Sequence, residues 1–406
     1  MRSLGVRAVA FYGVRDLIPL YALYTLLFAD HGLSTAQISS LLVIWSVTGF
    51  VFEVPSGAWA DTVSRRGLLI LGSVLLAAGF AVWTVFPSYA GFATGFVLWG
   101  ISGALQSGTY EALLYDELQA RDATTSYASL MGYANSAAET CNLLATVAAA
   151  PLFALGGYPL VGWVSVGVAV GHGALALSLP SAPKAMSVVE ESDVGPPSGY
   201  VAMLRAGLGE VLRVRTVRFG VLLVALLFGF TAFDEYFALL ANEAGVATAT
   251  VPLLIGLTVI GQVIGTALAG RTAKMRSSTM AIALIAAGVL LTIGSLIGGR
   301  GLLGVIGFAS IGVGYGIVNN AVIVAEARVQ DAIAGPARAT VTSASGLLSE
   351  VVALAIFGAV ALGSEWLSMA TMLAVLGVPV VLAAAAVPKW LPGVRADPPE
   401  TAEVRG

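Results

Sequence analysis

Cysteine, histidine and charged residues are scarce in this sequence. Its 406 residues include one cysteine, Cys141, two histidines and only 11% charged residues. A single cysteine excludes an internal disulfide. With so few cysteines and histidines, neither a metal site nor cysteine chemistry is expected. The motifs GxxxxGK[ST], HExxH and GxSxG are missing as well. We therefore expect no metal, no cofactor, no ATP hydrolysis through a P-loop and no enzymatic activity.

Apolar residues make up the difference, at 58% of the chain. Ordinary soluble domains carry about 25% charged residues, and a soluble core of this size has no room for so much apolar surface. A lipid bilayer removes the difficulty, because apolar side chains can face lipid. The 48 glycines fit the same environment, since small residues let membrane helices approach closely. The net charge of -3 gives no indication of a nucleic-acid partner.

Twelve stretches have the length of a membrane span, which takes roughly 20 apolar residues of helix. The basic start of the chain resembles a signal sequence, but no small-residue cleavage site follows it, so we expect an uncleaved first span. The sequence thus predicts an all-α membrane protein with twelve transmembrane helices in two six-helix bundles. The predicted spans are 9–29, 36–58, 67–86, 91–113, 127–151, 158–180, 216–240, 250–270, 277–298, 302–325, 339–362 and 367–388.

The linkers are short except for residues 181–215. The first part of this segment is polar and contains Pro and Gly, and its second part has the spacing of an amphipathic surface helix. We predict an N-terminal bundle over 1–180, a cytoplasmic linker with an amphipathic helix over 181–215, a C-terminal bundle over 216–390 and a disordered tail over 391–406.

Positive charge predicts the orientation. With both termini in the cytoplasm, 18 of the 20 Lys and Arg residues fall on the cytoplasmic side, Arg300 falls outside, and Arg15 lies within the first span. The Ala-, Gly- and Val-rich composition, with Arg far above Lys, favours a bacterial inner membrane. We expect a monomer in the lipid bilayer.

A faint internal repeat relates the two halves. His31 to Ser34 before the second span parallels Glu243 to Val246 before the eighth, and Gly57 parallels Gly270. Glu139 in the fifth span parallels Glu350 in the eleventh. These offsets agree within a few residues, as expected of two six-helix repeats.

The strongest motif is GAWADTVSRR, between the second and third spans. Here the chain resembles the major facilitator superfamily, whose signature loop is matched by Gly57, Ala60, Asp61, Arg65 and Arg66. The resemblance implies a conformational latch on the cytoplasmic face, in which Asp61 engages the start of the eleventh span. It also implies that the basic residue pairs with an acid near the end of the fourth span.

The candidate acids are Glu111 and Asp116 of SGTYEALLYDEL. Two positions depart from the signature, since Thr62 stands where the family has a basic residue and Ser64 where it has a glycine. Glu53 together with SGTYEALLYDEL resembles a branch of the superfamily regarded as drug-efflux-like.

Acids inside the spans are the candidates for proton coupling. A charge there costs roughly 2.5–3.5 kcal/mol or more unless it is paired or wet. Arg15 and Asp16 lie at a depth similar to Glu53, which makes an Arg15–Glu53 pair reasonable, and structural pairing and coupling are equally open for this cluster. Glu139 and Glu350 lie near mid-membrane, where a carboxyl that protonates when occluded and ionises when wet suits proton coupling. The alternative is a hydrogen-bonded acid that only joins helices.

Asp234 and Glu235 lie among aromatic residues of the seventh span, in FTAFDEYFALL. They are placed to attract a cationic, amphipathic substrate, although a solvated outer vestibule is equally open. His172 and Cys141 are expected to pack. The residues predicted to line a substrate cavity are Tyr21, Tyr24, Trp45, Gln106, Asn135, Asp234, Gln262, Tyr315, Asn319 and Asn320.

These features predict a secondary transporter that works by alternating access. Proton-coupled efflux of a small amphipathic compound is our first interpretation, and proton-coupled uptake of a sugar or organic acid is the alternative. The fourth span lacks the Arg, and the fifth the GPxxGG-like stretch, common in proton antiporters of the superfamily, which weakens the first interpretation. A non-transporting membrane protein is disfavoured because the chain has no sizeable extramembrane domain.

Overall fold

A computed structural model describes residues 2–180, 214–333 and 338–393. Those residues form α-helices and short 3-10 helices and no β-strand. The predicted amphipathic helix in 201–211 and most of the predicted disordered tail lie outside the described residues.

Seven of the predicted spans are single helices in this part of the chain. Spans 2 and 3 are Thr35–Thr62 and Arg65–Val85, and spans 8 to 12 are Val251–Thr272, Ser277–Ile297, Leu302–Ala332, Arg338–Gly363 and Met369–Trp390.

Three spans are interrupted. Span 1 consists of Arg2–Val14, a 3-10 turn Pro19–Ala22 and Tyr24–Asp30, and span 4 of Tyr89–Gln106 and Thr109–Gln119. Span 7 consists of Arg215–Phe230, a 3-10 turn Thr231–Tyr236 and Phe237–Glu243. The sequence did not predict these interruptions.

Spans 5 and 6 follow a 3-10 turn, Thr124–Ser126, and form the segment Tyr127–Ser178, which leaves helical geometry at Gly156 and Gly157. Gly157 has φ +60°, a conformation that glycine adopts readily. Gly13 of span 1 packs against Ala137 on one side of this turn, and Phe11 stacks on His172 on the other.

The chain therefore reverses at the glycine pair. Nine helices among the described residues are long and apolar enough to cross a bilayer, and one of them holds both span 5 and span 6. With the interrupted spans 1 and 4, the described chain contains the twelve predicted spans.

The two halves repeat the same local geometry. Span 1 and span 7 both pass through a 3-10 turn and end in a seven-residue helix. Gly32 and Gly245 follow with φ of +85° and +76°. The backbone then closes in the same way, because Leu33 N–H donates to Phe28 at 3.2 Å and Val246 N–H to Ala241 at 3.0 Å. The predicted pseudo-symmetry is confirmed.

The bundle has two faces, which we call the basic face and the opposite face. The basic face is the side on which span 2 ends and span 3 begins, with Arg65 and Arg66, and on which span 8 ends, with Arg271. The opposite face carries the turns that follow span 1 at Asp30 and span 7 at Glu243. Span 2 packs against span 11 and span 5 against span 8, and these contacts join the two halves.

Candidate functional site

The interruptions of spans 1 and 7 both carry charged residues. Arg15 and Asp16 follow the last helical residue, Val14, and Asp234 and Glu235 lie within the 3-10 turn of span 7. Irregular backbone is tolerated inside a membrane protein only where it is buried in protein or lines a wet cavity. The hydroxyl of Ser165 on span 6 supports the break in span 1 by accepting the Leu20 N–H at 3.1 Å.

Arg15 pairs with its neighbour rather than with span 2. Its Nε lies 3.3 Å from Asp16 Oδ2, and its guanidinium stands 4.0 Å above the ring of Tyr12. Glu53 instead accepts a hydrogen bond from Ser107 of span 4 at 2.9 Å. The expected Arg15–Glu53 pair is therefore wrong, because span 1 leaves helical geometry at Arg15 and the guanidinium turns back onto its own span.

Each acid of span 7 is held by a tyrosine. Tyr315 of span 10 donates to Asp234 at 2.6 Å, and Tyr24 of span 1 donates to Glu235. Both carboxyls are half-buried. This arrangement is unlike the solvated vestibule considered from the sequence.

Within the described residues, three hydrogen bonds connect spans 1 and 2 of the first half to spans 7 and 11 of the second half, and we call them the seam. They are Tyr24 to Glu235, Ser39 to Tyr236 at 2.8 Å, and Ser46 to Glu350. All three lie between the opposite face and the middle of the spans. The two halves are therefore in contact from the opposite face to about the middle of the spans.

Glu139 lies where span 5 packs against span 8. The carboxyl is half-buried, and its Oε2 has no hydrogen-bond partner among the described residues. The side-chain amide of Gln262 on span 8 is a close polar neighbour. The predicted mid-membrane acids thus differ, since Glu350 belongs to the seam and Glu139 has a free oxygen.

The motif GAWADTVSRR is mostly helical rather than a loop. Only Val63 and Ser64 separate span 2 from span 3, and Ser64 caps span 3 by accepting the Gly67 N–H at 3.3 Å. The surroundings of Gly57 and Asp61 lie outside the described residues, so their predicted contacts stay predictions.

Arg65 contacts one of its two candidate partners. Its Nη1 donates to the Ala112 carbonyl at 3.1 Å and forms an ion pair with Asp116. Glu111 does not take part, and its buried Oε2 has no hydrogen-bond partner in the described chain. Arg66 donates to the Leu179 carbonyl at 3.3 Å. Because Arg65 and Asp116 belong to the same half, their pair does not itself join the halves.

The predicted cavity residues are distributed over several environments. Tyr21 stacks on Trp99, and Trp45 lies beside the same ring. Gln106 donates to Ser102 at 3.0 Å and packs over Gly72 of span 3. The remaining predicted residues are Asn319, which donates to the Tyr315 carbonyl, Asn320, which donates to the Gly265 carbonyl, and Asn135, which is exposed on span 5.

His172 packs as expected, stacked on Phe11 and hydrogen-bonded to Ser73 at 2.9 Å. Cys141 lines a groove of about 790 Å³ between spans 1 and 5. Span 6 covers one side of the contact between spans 1 and 5, because His172 lies against Phe11. The groove lies on the side of this contact that span 6 leaves uncovered. Its lining is apolar apart from a few side chains and comprises Gly5, Val6, Val9, Ala10, Gly13, Val14, Ser126, Ser129, Leu130, Tyr133, Ala137 and Cys141.

Sequence reasoning named Glu235 beside Asp234 but missed Ser46 and Trp99 as site residues. Ser46 is a polar residue in an apolar stretch of span 2. Trp99 carries no signal of its own, because aromatic residues are frequent in membrane spans.

Comparison with solved structures supports the fold. The nucleoside transporter NupG is similar with a TM-score of 0.75 at 10% identity, over 95% of this chain and 97% of that one. A D-xylose-proton symporter gives a TM-score of 0.70 at 15% identity, over 96% of each chain. The POT family transporter PepTSo gives 0.69 at 14% identity, over 95% of this chain and 97% of that one. At these identities the likeness concerns the fold alone.

Comparison with curated protein sequences finds no match. The sequence profile of the Major Facilitator Superfamily, in contrast, matches residues 7–357. Twelve spans, two repeated halves and this match lead to one conclusion. The chain belongs to the Major Facilitator Superfamily, a family of membrane transporters and not of enzymes.

Proposed function

We propose that this protein is a proton-coupled transporter that exports a small amphipathic compound by alternating access. The observation that carries the proposal is the chemistry of the seam. Two of its three hydrogen bonds end on carboxyl groups, Glu235 and Glu350, and the donor in each case belongs to the other half. The contacts that must break when the halves rock apart therefore include two groups that can bind and release a proton.

The cost of burying charge links protonation to the state of the halves. An ionised carboxylate in a water-poor interface is expensive unless it is neutralised. When the seam is open, Glu235 and Glu350 contact water and can be ionised without this cost. A proton neutralises them and favours closure at the opposite face. Glu139, which already lies beside Gln262 where the halves meet, is the third candidate of this kind.

The groove between spans 1 and 5 supports an amphipathic substrate. It is apolar and lies toward the basic face. The positive-inside rule makes the basic face the cytoplasmic one. A compound that enters along this groove from the cytoplasm or the inner leaflet would leave at the opposite face, which makes the direction export.

The proposed latch supports the same cycle on the basic face. Arg65 and Asp116 fix the start of span 3 to span 4. Asp61, with Gly57 one turn before it, is placed by the motif to reach the start of span 11. In this proposal the latch is made when the basic face closes and the seam is made when the opposite face closes.

Proton movement in reconstituted vesicles tests the proposal. Purified protein is placed in liposomes with an internal pH dye and offered lipophilic cations, sugars and organic acids. We expect at least one amphipathic compound to move protons in the direction opposite to its own movement. Proton movement in the same direction as the compound would identify a symporter and contradict export by exchange. Glu365→Gln, which changes an exposed carboxylate near the opposite face, is the matched control and should behave as wild type.

A further inference from the structure

Spans 1, 3 and 6 of the first half pack together in one junction. Phe11 of span 1 stacks on His172 of span 6 with ring centroids 4.1 Å apart, and His172 is hydrogen-bonded to Ser73 of span 3 at 2.9 Å. Gly173 packs against the same serine. The side chains of Phe11, His172 and Ser73 are buried. Three helices therefore share one contact, which fixes how their ends lie at the basic face.

Two arginines close this junction at the basic face. Arg7 lies one helical turn before Phe11 on span 1, and its Nη1 donates to the Ser178 carbonyl at 3.2 Å. Arg66 lies in the first turn of span 3, and its Nη1 donates to the Leu179 carbonyl at 3.3 Å. Since the two carbonyls belong to consecutive residues, the two guanidinium groups meet at the last turn of span 6.

The positive charges of this arginine pair are not neutralised. The ion pairs of the described chain involve other residues, and neither Arg7 nor Arg66 takes part in one. The carbonyl end of a helix carries roughly half a negative charge, so about one and a half positive charges remain at this point. Each guanidinium has five N–H groups, and each donates from a single nitrogen here. Donors are therefore left for an anion.

The equivalent corner of the second half is built differently. Span 9 begins at Ser277, whereas span 3 begins with Arg65 and Arg66. The end of span 12 is packed by aromatic rings, because Trp390 stacks on Phe219 of span 7 with ring centroids 5.3 Å apart. A pair of arginine donors at the end of the last span is therefore not a general requirement of this fold.

Apolar side chains point outward beside the arginine pair. Leu177 adjoins Ser178 on span 6 and Val74 adjoins Ser73 on span 3, and the two are 62% and 56% exposed. Both residues lie on membrane spans, so this exposed surface faces lipid. Uncompensated positive charge at the end of an apolar, lipid-facing surface complements a molecule with an anionic head group and acyl chains.

We propose that Arg7 and Arg66 bind the phosphate of one anionic phospholipid, whose acyl chains lie along spans 3 and 6 beside Leu177 and Val74. Arginine suits this ligand because its planar fork can bind two phosphate oxygens at once. Spans 1, 3 and 6 all belong to the first half, so the site stays intact when the halves rock. The lipid is thus a resident partner of the first half, whatever compound the protein transports.

Native mass spectrometry of the delipidated, purified full-length protein tests this inference. The protein is titrated with phosphatidylglycerol, and the fraction that carries one lipid is measured. We expect one site of highest affinity in the wild type. Arg7→Gln and Arg66→Gln should each weaken it about tenfold, as loss of one charge-assisted contact predicts. Arg66→Lys keeps the charge without the planar fork and should lie in between.

Arg271→Gln is the matched control, because it removes the same charge from an exposed position on the basic face, at the end of span 8. It should bind phosphatidylglycerol as the wild type does. Equal weakening by Arg271→Gln and Arg66→Gln would show attraction to overall charge and would overturn the site. Unchanged binding by the double variant Arg7→Gln, Arg66→Gln would overturn it as well.

Two further ligands distinguish a phospholipid from a soluble anion. Phosphatidylcholine, whose head group has no net charge, should bind the wild type about tenfold more weakly than phosphatidylglycerol. Glycerol 1-phosphate carries the charge without acyl chains and should not displace phosphatidylglycerol at equal concentration. Displacement by glycerol 1-phosphate, or equal affinity for the two lipids, would contradict an anionic phospholipid as the occupant.

Discussion

Ser46 of span 2 donates a hydrogen bond to Glu350 of span 11, and these two spans belong to different halves of the transporter. Any motion that separates the halves at this level must break the bond. The Glu350 carboxyl then loses its partner and meets water. In the proposed cycle, a carboxyl that is structural in one state therefore exchanges a proton in another.

Replacing Glu350 with Gln separates these two roles. The amide oxygen still accepts from Ser46, but the side chain no longer binds and releases a proton. We expect compound-driven proton movement in vesicles to be lost, while exchange of labelled for unlabelled compound continues.

Ser46→Ala is the complementary variant for the same pair. It removes a hydrogen bond worth about 1 kcal/mol and keeps the carboxyl. Proton movement should persist in Ser46→Ala. Loss of proton movement in Ser46→Ala, together with normal proton movement in Glu350→Gln, would contradict the assignment of proton exchange to Glu350.

The pair of Arg65 and Asp116 is expected to tolerate exchange of its charges better than loss of one. Its side chains are 19% and 29% exposed, so water screens the pair only partly. Arg65→Asp and Asp116→Arg should each reduce transport several-fold, and the double variant should recover part of it. A double-mutant cycle measured by transport rate gives the coupling.

Glu111→Gln is the control for that cycle, because Glu111 does not contact Arg65. It should leave the effect of Arg65→Asp unchanged. Equal coupling of Arg65 to Glu111 and to Asp116 would contradict a specific pairing of Arg65 with Asp116.

In the second half, Arg328 also connects a turn to a span, but here the arginine lies on the span and its acceptors lie in the turn. It lies on span 10, is 4% exposed, and donates to the carbonyls of Ala273 and Met275 in the turn between spans 8 and 9. In the first half the arginine is at the turn and its acceptors are on span 4.

Arg328→Met should lower the thermal unfolding midpoint clearly, because each buried carbonyl left without a donor costs about 1–3 kcal/mol. Arg328→Lys should lie in between, since it lacks the planar fork. Arg271→Gln, at the exposed end of span 8, should leave the midpoint near wild type. Equal midpoints for Arg328→Met and Arg271→Gln would contradict this role.

Filling the groove between spans 1 and 5 should impair entry of an amphipathic compound. Ala10 lines the groove and is half-buried, so Ala10→Phe places a ring in it. We expect a several-fold rise in KM for the compound with little change in thermal stability. Val170→Phe adds comparable bulk at a residue that is 59% exposed on span 6. Equal rises of KM in both variants would point to a membrane effect instead of the groove.

The sequence predicted most of the architecture and part of the site. Apolar stretches define spans because the bilayer sets their length, and basic residues at their ends define the faces. The repeat was visible because Gly32 and Gly245 close the same turn and must adopt positive φ. Asp116 was one of two candidates for Arg65, since it lies near the end of span 4.

Contacts between distant segments were not predictable in the same way. The break in span 1 depends on a hydroxyl of span 6, Ser165, which accepts the Leu20 N–H. That break turned Arg15 toward Asp16 and away from Glu53. The bond between Tyr24 and Glu235 joins residues more than two hundred positions apart, and no periodicity within either span indicates it.

Distances across the opposite face test the central claim most directly. With Cys141→Ala as background, spin labels at Leu155→Cys and Leu302→Cys report on the two halves, because both positions are strongly exposed. We predict that raising the pH lengthens this distance in otherwise wild-type protein, since ionised Glu235 and Glu350 disfavour the closed seam. The double variant Glu235→Gln, Glu350→Gln should stay short at every pH. The account would be contradicted if the distance did not change with pH in the wild-type background, or if it changed equally with pH in the double variant.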